Sequence, residues 1–450
     1  MRFNNRQLQQ VRWHGVTRFR ATLVGFGGCL CLAILAQAAT PPNLDRPVVV
    51  GDSLMASYRE GGLADRYQEV SIPAVIAKQA GVPLPQPLIA WPGIPTVLGA
   101  SGVSTGRVDM FLQAQNLAVP AHTVSNALYT RPDMPMDSLT DLVLGLPGLL
   151  QGVARSQVEW AEALQPTTIL VWIGNMDVLN GAIYGDPAAM TPEADFKASY
   201  RELLARLKAT GASLFVANIP DIGSIPFVQP GPAVAAMLGV PLDVVLSAGG
   251  VTAQDSITLN GVAYLGDILK GLKPGPLPGA YVLTPVEIQA IRNATTNYNA
   301  FIAQEAQTQG AVLVDTYALL NRLLVQGAQA GNRHLSASYL GGIFSRDGIH
   351  PTTEANAVVA NEFIAALNQA GAQVPSVVWL SYRYDANGYV VSWPASATGY
   401  VLEAASRLAP QSWAPVQSVP TVRDGFNEVA LAASEAQSYL RLRYSPVQAR

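Results

Sequence analysis

The sequence is poor in the residues that several classes of protein depend on. It has two cysteines and four histidines in 450 residues, and charged residues make up only 13 % of the chain. A formal net charge of −3 provides no basic surface of the kind that binds nucleic acid. Both cysteines, Cys29 and Cys31, lie in the first forty residues. We therefore expect neither a disulfide framework nor a zinc site in the rest of the chain.

The first forty residues have the pattern of an export signal. Five arginines precede the first acidic residue, Asp45, and an apolar stretch follows at residues 21–36. Ala36-Gln37-Ala38 then supplies the small residues of a cleavage site. The apolar stretch is short for a membrane span, but an uncleaved N-terminal anchor is the alternative. We predict that residues 1–38 are a signal peptide and that the mature protein is exported to the periplasm, the outer surface or the medium.

Apolar runs alternate with helical patterns between residues 47 and 368. The runs are short and rich in Val, Ile or Leu, which is typical of buried strands. They cover residues 47–50, 168–173, 213–219 and 311–317. The longest helical pattern, 285–309, follows Thr284 and has Glu287 at the capping-box spacing. Strands that alternate with helices favour an α/β fold, with a parallel sheet covered by helices on both faces.

The segment 226–279 is longer than an ordinary connection and is rich in Gly and Pro. A lid or cap over an active site is one interpretation, and additional helices packed on the core are the other. The sequence leaves both open.

The last 77 residues, 374–450, have a different pattern. Short strands are predicted at 377–384, 389–393, 400–404, 427–431 and 438–444, with Asn387-Gly388 as a hairpin turn. This pattern resembles the small antiparallel β-sandwich of fibronectin-type-III-like modules. Tyr382, Trp393 and Trp413 either form its core or provide a glycan or cell-surface contact.

Two motifs carry residues suited to catalysis. The first predicted strand ends in Gly51-Asp52-Ser53-Leu54, and Asp347 and His350 stand three residues apart before the last helix of the α/β part. A serine hydroxyl becomes a nucleophile when a base takes its proton, and the base needs a third group to orient it. Taken alone, each motif has a structural alternative, with Ser53 capping a helix and Asp347 stabilising its own loop.

With these residues, the chain resembles the SGNH-type hydrolases of the GDSL esterase/lipase family. The resemblance covers about residues 47–368 and is carried by Gly51-Asp52-Ser53-Leu54 and Asp347-x-x-His350. It implies a flavodoxin-like three-layer fold over residues 39–373 and a triad of Ser53, His350 and Asp347. It also implies hydrolysis of ester or thioester bonds without a metal or other cofactor.

The two middle blocks of the family differ in this chain. Ala121 stands where the second block has a glycine whose N–H holds the oxyanion, although an alternative alignment would use Gly93 or Gly102. The third block, usually Gly-x-Asn-Asp, is Gly-Asn-Met-Asp at residues 174–177. Met176 therefore occupies the position of the oxyanion asparagine, and methionine cannot donate a hydrogen bond. We expect Ser53, Ala121 and Asn175 to form the oxyanion hole.

The sequence thus predicts an exported serine esterase or lipase that acts on a small-molecule or lipid ester. A carbohydrate acetyl esterase is the alternative within the enzyme class, and a non-catalytic surface binding protein is the alternative outside it. His122, next to Ala121, either contacts the substrate or is an ordinary satisfied polar residue.

Overall fold

The computed structural model describes residues 41–145, 152–385, 388–409, 412–432 and 439–445. The predicted signal peptide and Asn387 of the predicted hairpin turn lie outside these residues. Up to residue 335, the strands are β1 (Pro47–Gly51), β2 (Thr168–Trp172), β3 (Ser213–Ala217), β4 (Val228–Pro230), β5 (Ser256–Thr258), β6 (Val282–Leu283), β7 (Val312–Val314), β8 (Ala328–Ala330) and β9 (Arg333–Leu335).

The described α-helices lie before the C-terminal module. They are α1 (Ser53–Ala56), α2 (Asp65–Gln68), α3 (Ile72–Ala80), α4 (Val124–Tyr129), α5 (Gln157–Ala163), α6 (Asn175–Ile183), α7 (Glu193–Ala209), α8 (Gly231–Leu238), α9 (Leu242–Gly249), α10 (Leu259–Leu269), α11 (Pro285–Gln309), α12 (Thr316–Gln326) and α13 (Thr353–Gln369).

The central sheet is parallel, with the strand order β1-β2-β3-β7. Residues 115–119 extend it beyond β1, because Val49 N donates to Gln115 O and both Leu117 N and Val119 N donate back to β1. Counted along the chain, the spatial order is therefore 2-1-3-4-5, which is the flavodoxin-like order. β1 and β2 are buried along their whole length, as expected for strands covered on both faces. The predicted α/β fold class is confirmed.

The helices form two groups around this sheet. One group contains α3 and α13, which pack together, and α13 also contacts β3 and β7. The other group contains α4, α5 and α11, which all pack on α7. The predicted capping box is present at the start of α11, where Thr284 Oγ1 accepts from Glu287 N and the Glu287 carboxylate accepts from Thr284 N. The fourth predicted strand is shorter than expected because Asp315 caps α12, which begins at Thr316.

The segment 226–279 forms a small subdomain, called here the cap. Its helices α8, α9 and α10 pack beside strands β4 and β5, and β6, which follows the segment, completes this antiparallel sheet. Together they enclose a core of their own, which includes Val234, Val245, Ile257 and Leu265. In the described part of the chain, no single helix has the length and hydropathy of a membrane span. The bent pair α8 and α9, at 104° to one another, meets both criteria only when joined.

The C-terminal module consists of two antiparallel sheets. Their strands are β10 (Ser381–Asp385), β11 (Gly388–Pro394), β12 (Tyr400–Ala405), β13 (Ala414–Pro415), β14 (Thr421–Arg423), β15 (Phe426–Ala432) and β16 (Tyr439–Tyr444). The sheet orders are β10-β11-β15-β14 and β13-β12-β16. Val391, Trp393 and Val429 from the first sheet share a buried core with Leu402 from the second, so the expected antiparallel sandwich is present.

The predicted strand 377–384 begins only at Ser381. The residues before it lie along α13, where Asn361 exchanges two hydrogen bonds with the backbone of Val377 and Asn368 exchanges two with Val374. These asparagine side chains take the hydrogen-bonding positions that a neighbouring strand would otherwise fill.

Candidate active site

Ser53 lies at the carboxyl edge of the central sheet, directly after β1. It is the first residue of α1, and its side chain is buried. The cap of this helix is Asp52, whose carboxylate accepts from Leu54 N at 3.1 Å. Ser53 is therefore not the capping residue, and its amide N–H has no acceptor among the described residues.

Asp347 holds His350 through both the side chain and the backbone. Its Oδ2 is 2.9 Å from His350 Nδ1, and its Oδ1 accepts from the amides of Ile349 and His350, each at 2.9 Å. Glu60 N donates to Asp347 Oδ2 at 2.7 Å. Burial acts to raise the pKa of Asp347, but the His350 ring and these hydrogen bonds outweigh it and hold this pKa well below its usual range.

The other nitrogen of His350 has no partner. His350 Nε2 is buried and makes no hydrogen bond to any described residue, Ser53 included. Tyr58 connects the two residues, because its N–H donates to Ser53 O at 3.0 Å and its ring packs edge-on against His350 at 5.4 Å between centroids. The arrangement leaves an oriented imidazole with an unpaired Nε2, joined through Tyr58 to the segment that carries Ser53.

Two hollows meet at these residues. The first, called here the inner cavity, is bordered by Ser53, Asn175 and Ile349. The second, called the outer groove, is wider and contains His350 and Asp347 on one side and residues of cap helices α8 and α10 on the other. The cap thus borders the candidate site and also packs around its own core.

The sequence of the chain matches a known protein family. The sequence model of the GDSL-like Lipase/Acylhydrolase family matches residues 48–363, more than two thirds of the chain. The chain belongs to this family. Membership supports hydrolysis of ester bonds as its activity.

The solved structures that resemble this chain are distant in sequence. The psychrotrophic esterase EstA from Pseudoalteromonas sp. is 12 % identical, with 72 % of this chain and 98 % of that chain covered and a TM-score of 0.32. The acetyl xylan esterase Axe2 from Geobacillus stearothermophilus, in a variant form, is 14 % identical, with 72 % and 94 % covered and a TM-score of 0.35. These likenesses do not indicate a substrate. No curated protein matches the chain.

The segment aligned with the family's second block lies beside the nucleophile segment. Val119 N donates to Gly51 O, which places Ala121 at the same edge of the sheet as Ser53. Ala121 has a φ of 66°, in the left-handed region that favours glycine. Its N–H has no acceptor among the described residues. The alternative candidate Gly93 instead packs near Leu63 and Ala64.

The third block of the family begins α6. Asn175 is the first residue of the helix and borders the inner cavity together with Ser53. Its Nδ2 donates to Asp52 Oδ2 at 2.8 Å, which leaves the second N–H of the amide group for another acceptor. Met176 is partly buried against the main core. A contribution of Asn175 to the oxyanion hole stays a prediction.

Two buried carboxylates at the site have roles that the sequence analysis did not assign. Asp52 binds Asn175, and Asp177 accepts from Val124 N at 3.0 Å and from Thr191 Oγ1 at 2.8 Å, so that it fixes the segment after Ala121. Burial raises the pKa of each to about 6, although these hydrogen bonds partly offset the effect. The final Asp of the Gly-x-Asn-Asp block was the available signal for Asp177.

His122 is held by protein groups on both sides of its ring. Nε2 is 2.8 Å from Thr140 Oγ1, and Nδ1 is 3.0 Å from Gln157 Nε2. Gln157 Oε1 also accepts from Gly51 N at 3.0 Å. Burial lowers the pKa of His122 to about 4, so this ring is neutral near pH 7. This geometry favours the reading of His122 as a satisfied polar residue over a substrate contact.

The aromatic residues proposed for glycan binding do not form one exposed row. Trp393 is buried in the sandwich core, and Trp413 is half-buried beneath the guanidinium of Arg441. Tyr382 is exposed and packs edge-on against Tyr384. A glycan or cell-surface contact of this module stays a prediction. In the described ranges, no three His, Cys, Asp or Glu side chains converge as metal ligands.

Proposed function

We propose that the protein is an exported serine esterase or lipase that hydrolyses carboxylic esters through Ser53, His350 and Asp347. The observation that carries this proposal is His350 itself. Its Nδ1 is bound to Asp347, Nε2 is unpaired, and the ring packs against Tyr58, whose N–H donates to Ser53 O. An imidazole that donates from Nδ1 to a carboxylate has its Nε2 lone pair available as a general base.

The proposed reaction starts with attack of Ser53 Oγ on the ester carbonyl carbon. His350 Nε2 takes the hydroxyl proton and returns it to the leaving alcohol, while Asp347 stabilises the imidazolium. The free N–H groups of Ser53 and Ala121, with Asn175, stabilise the negative oxygen of the tetrahedral intermediate. Water then attacks the carbonyl carbon of the acyl-enzyme while His350 Nε2 takes its proton. His350 returns this proton to Ser53 Oγ as the acid is released, which restores Ser53.

A fluorophosphonate probe followed by peptide mapping tests this proposal. A serine activated by a neighbouring base reacts with the probe, and we expect the adduct on Ser53. Ser345 is the matched control, because its hydroxyl is also buried and unpaired and its N–H donates to His350 O. Folded protein without an adduct, or with the adduct on Ser345, would contradict the proposed nucleophile. The first result would favour the non-catalytic binding protein.

Export is a separate part of the proposal, supported by the arginine-rich start, the apolar run and Ala36-Gln37-Ala38. Expression of the full chain in a Gram-negative host, with N-terminal sequencing of the exported fraction, tests it. A mature N-terminus at Ala39 is expected. Intact protein retained in the cytoplasm would contradict export.

A further inference from the structure

The inner cavity has a polar end and an apolar body. Ser53 and Asn175 are at the polar end. Two other polar groups in its wall are already satisfied within the protein, since Trp172 Nε1 and Thr316 Oγ1 both donate to Asn218 O. The remaining lining side chains are apolar. A ligand in this space therefore meets polar groups at the serine end only.

The direction of the cavity follows from two helices. On α12 it is lined by Thr316, Leu319, Leu320 and Leu323, which share one face over two turns. On α13 and the turn before it, the lining residues are Pro351, Ala355 and Val359. α12 follows β7 and α13 follows His350, so both begin near the carboxyl edge and run away from it. The cavity thus leads from Ser53 inward between α12 and α13.

We propose that the inner cavity binds the acyl chain of the substrate ester and that the outer groove holds the alcohol. This proposal rests on the proposed function, because it takes Ser53 as the residue that is acylated. The seven-residue advance from Thr316 to Leu323 corresponds to about 10 Å along the helix. In an extended chain, three consecutive bonds span at most about 3.6 Å. An extended acyl chain therefore needs about eight bonds to cover about 10 Å. A chain that follows this face of α12 is therefore expected to be an acyl group of medium length, near octanoyl.

The outer groove has a mixed lining, in which apolar side chains such as Met237 and Leu259 lie beside polar ones. Besides His350, it is bordered by Asn260, Asp267 and Lys270 of the cap and by Arg346. These side chains can bind an alcohol that carries further polar groups. In the inner cavity, such groups would find no partner beyond Ser53 and Asn175. The chemistry of the two hollows thus favours the acyl chain inside and the alcohol outside.

The chain-length dependence of hydrolysis tests the assignment in the wild-type protein. We would measure kcat/KM for p-nitrophenyl acetate, butyrate, octanoate and palmitate. Burial of a methylene contributes about 0.8 kcal/mol, or about fourfold, so the two additional methylenes of butyrate should raise kcat/KM up to about 15-fold over acetate. The increase should continue towards octanoate and end before palmitate. Equal values for acetate, butyrate and octanoate would overturn the proposal.

Two variants of α12 locate the effect in the cavity. Leu323→Trp fills the inner end, and we expect it to lower the octanoate-to-acetate ratio of kcat/KM at least tenfold. Leu324→Trp is the matched control, since Leu324 is the next residue on the same helix, is 39 % exposed and does not line the cavity. This control should keep the wild-type ratio. The same ratio in both variants, with both folded by circular dichroism, would overturn the assignment.

A binding measurement separates this assignment from catalysis and does not need a folded Leu323→Trp variant. Ser53→Ala protein is heated with octanoate or with acetate, and the midpoint of unfolding is compared. A ligand that binds the folded state raises this midpoint. Octanoate should raise it at concentrations where acetate does not, even if the wild-type protein hydrolyses no ester and the proposed function fails. No shift with octanoate would overturn the cavity as an acyl site while leaving the serine mechanism untouched.

Discussion

The substitution Asp347→Asn isolates the role of the carboxylate that holds His350. Asp347 accepts four hydrogen bonds, from His350 Nδ1 and from the amides of Glu60, Ile349 and His350. An asparagine has one oxygen and one NH2 group, so whichever way it turns, the NH2 faces two N–H donors. With the NH2 towards Nδ1, the imidazole must accept there and carry its proton on Nε2, which removes the proposed base.

The magnitude follows from known serine triads, in which the same substitution lowers kcat about 10⁴-fold because the imidazole adopts the wrong tautomer. We expect a loss of 10³-fold or more in kcat for p-nitrophenyl butyrate. The pKa of Asp347 lies below its unfolded value, so its ionised form stabilises the fold above about pH 4, and that stability is lost as pH falls further. The free energy of unfolding of the variant at pH 7 should therefore be lower by about 2 kcal/mol, because the charged hydrogen bonds are lost.

Asp186→Asn is the control for this experiment. Asp186 caps a short 3-10 helix and accepts from Ala188 N, but it lies outside both hollows. It should keep wild-type kcat. A loss of less than tenfold in folded Asp347→Asn protein would refute the assigned role of Asp347.

Three further substitutions test other parts of the site. Asn175→Ala should lower kcat about 10²–10³-fold if its amide stabilises the oxyanion; an unchanged kcat for butyrate hydrolysis would remove it from the hole. Ala121→Gly relieves a left-handed backbone and should raise the free energy of unfolding in urea by about 0.5–1 kcal/mol; destabilisation would contradict that geometry. Burial raises the pKa of Asp52 from 3.8 to about 6, so the folded state binds a proton on this carboxylate more tightly than the unfolded state does. The free energy of unfolding of the wild type should therefore fall as the pH rises from about 4 to about 6. Asp52→Asn removes this dependence, so between pH 4 and pH 6 its free energy of unfolding should rise by up to about 3 kcal/mol relative to that of the wild type. Parallel plots of this free energy against pH for the two proteins would refute the burial argument.

Local chemistry made much of the fold predictable. The four apolar runs identify strands of the central sheet because a strand buried on both faces needs an almost continuous apolar run. Thr284 and Glu287 mark the start of α11 because their hydrogen bonds involve residues only three apart. The same holds for Asp347 and His350, whose contact is formed within one short loop.

Features that depend on distant residues were not predictable. Residues 115–119 are too mixed in character to be recognised as a strand, and their place beside β1 appears only in the hydrogen bonds with Val49 and Gly51. The predicted strand start at 377 was wrong because Asn361 on α13 binds that backbone. The inner cavity is built from side chains of several separate elements, so no local pattern indicates it.

Ester hydrolysis by the wild-type protein and by Ser53→Ala shows whether Ser53 is the nucleophile. With p-nitrophenyl butyrate, we expect clear turnover by the wild type and a loss of at least about 10³-fold in kcat for Ser53→Ala, while Ser345→Ala keeps wild-type turnover. Wild-type turnover in folded Ser53→Ala protein would exclude Ser53 as the nucleophile, because hydrolysis would then proceed without its hydroxyl.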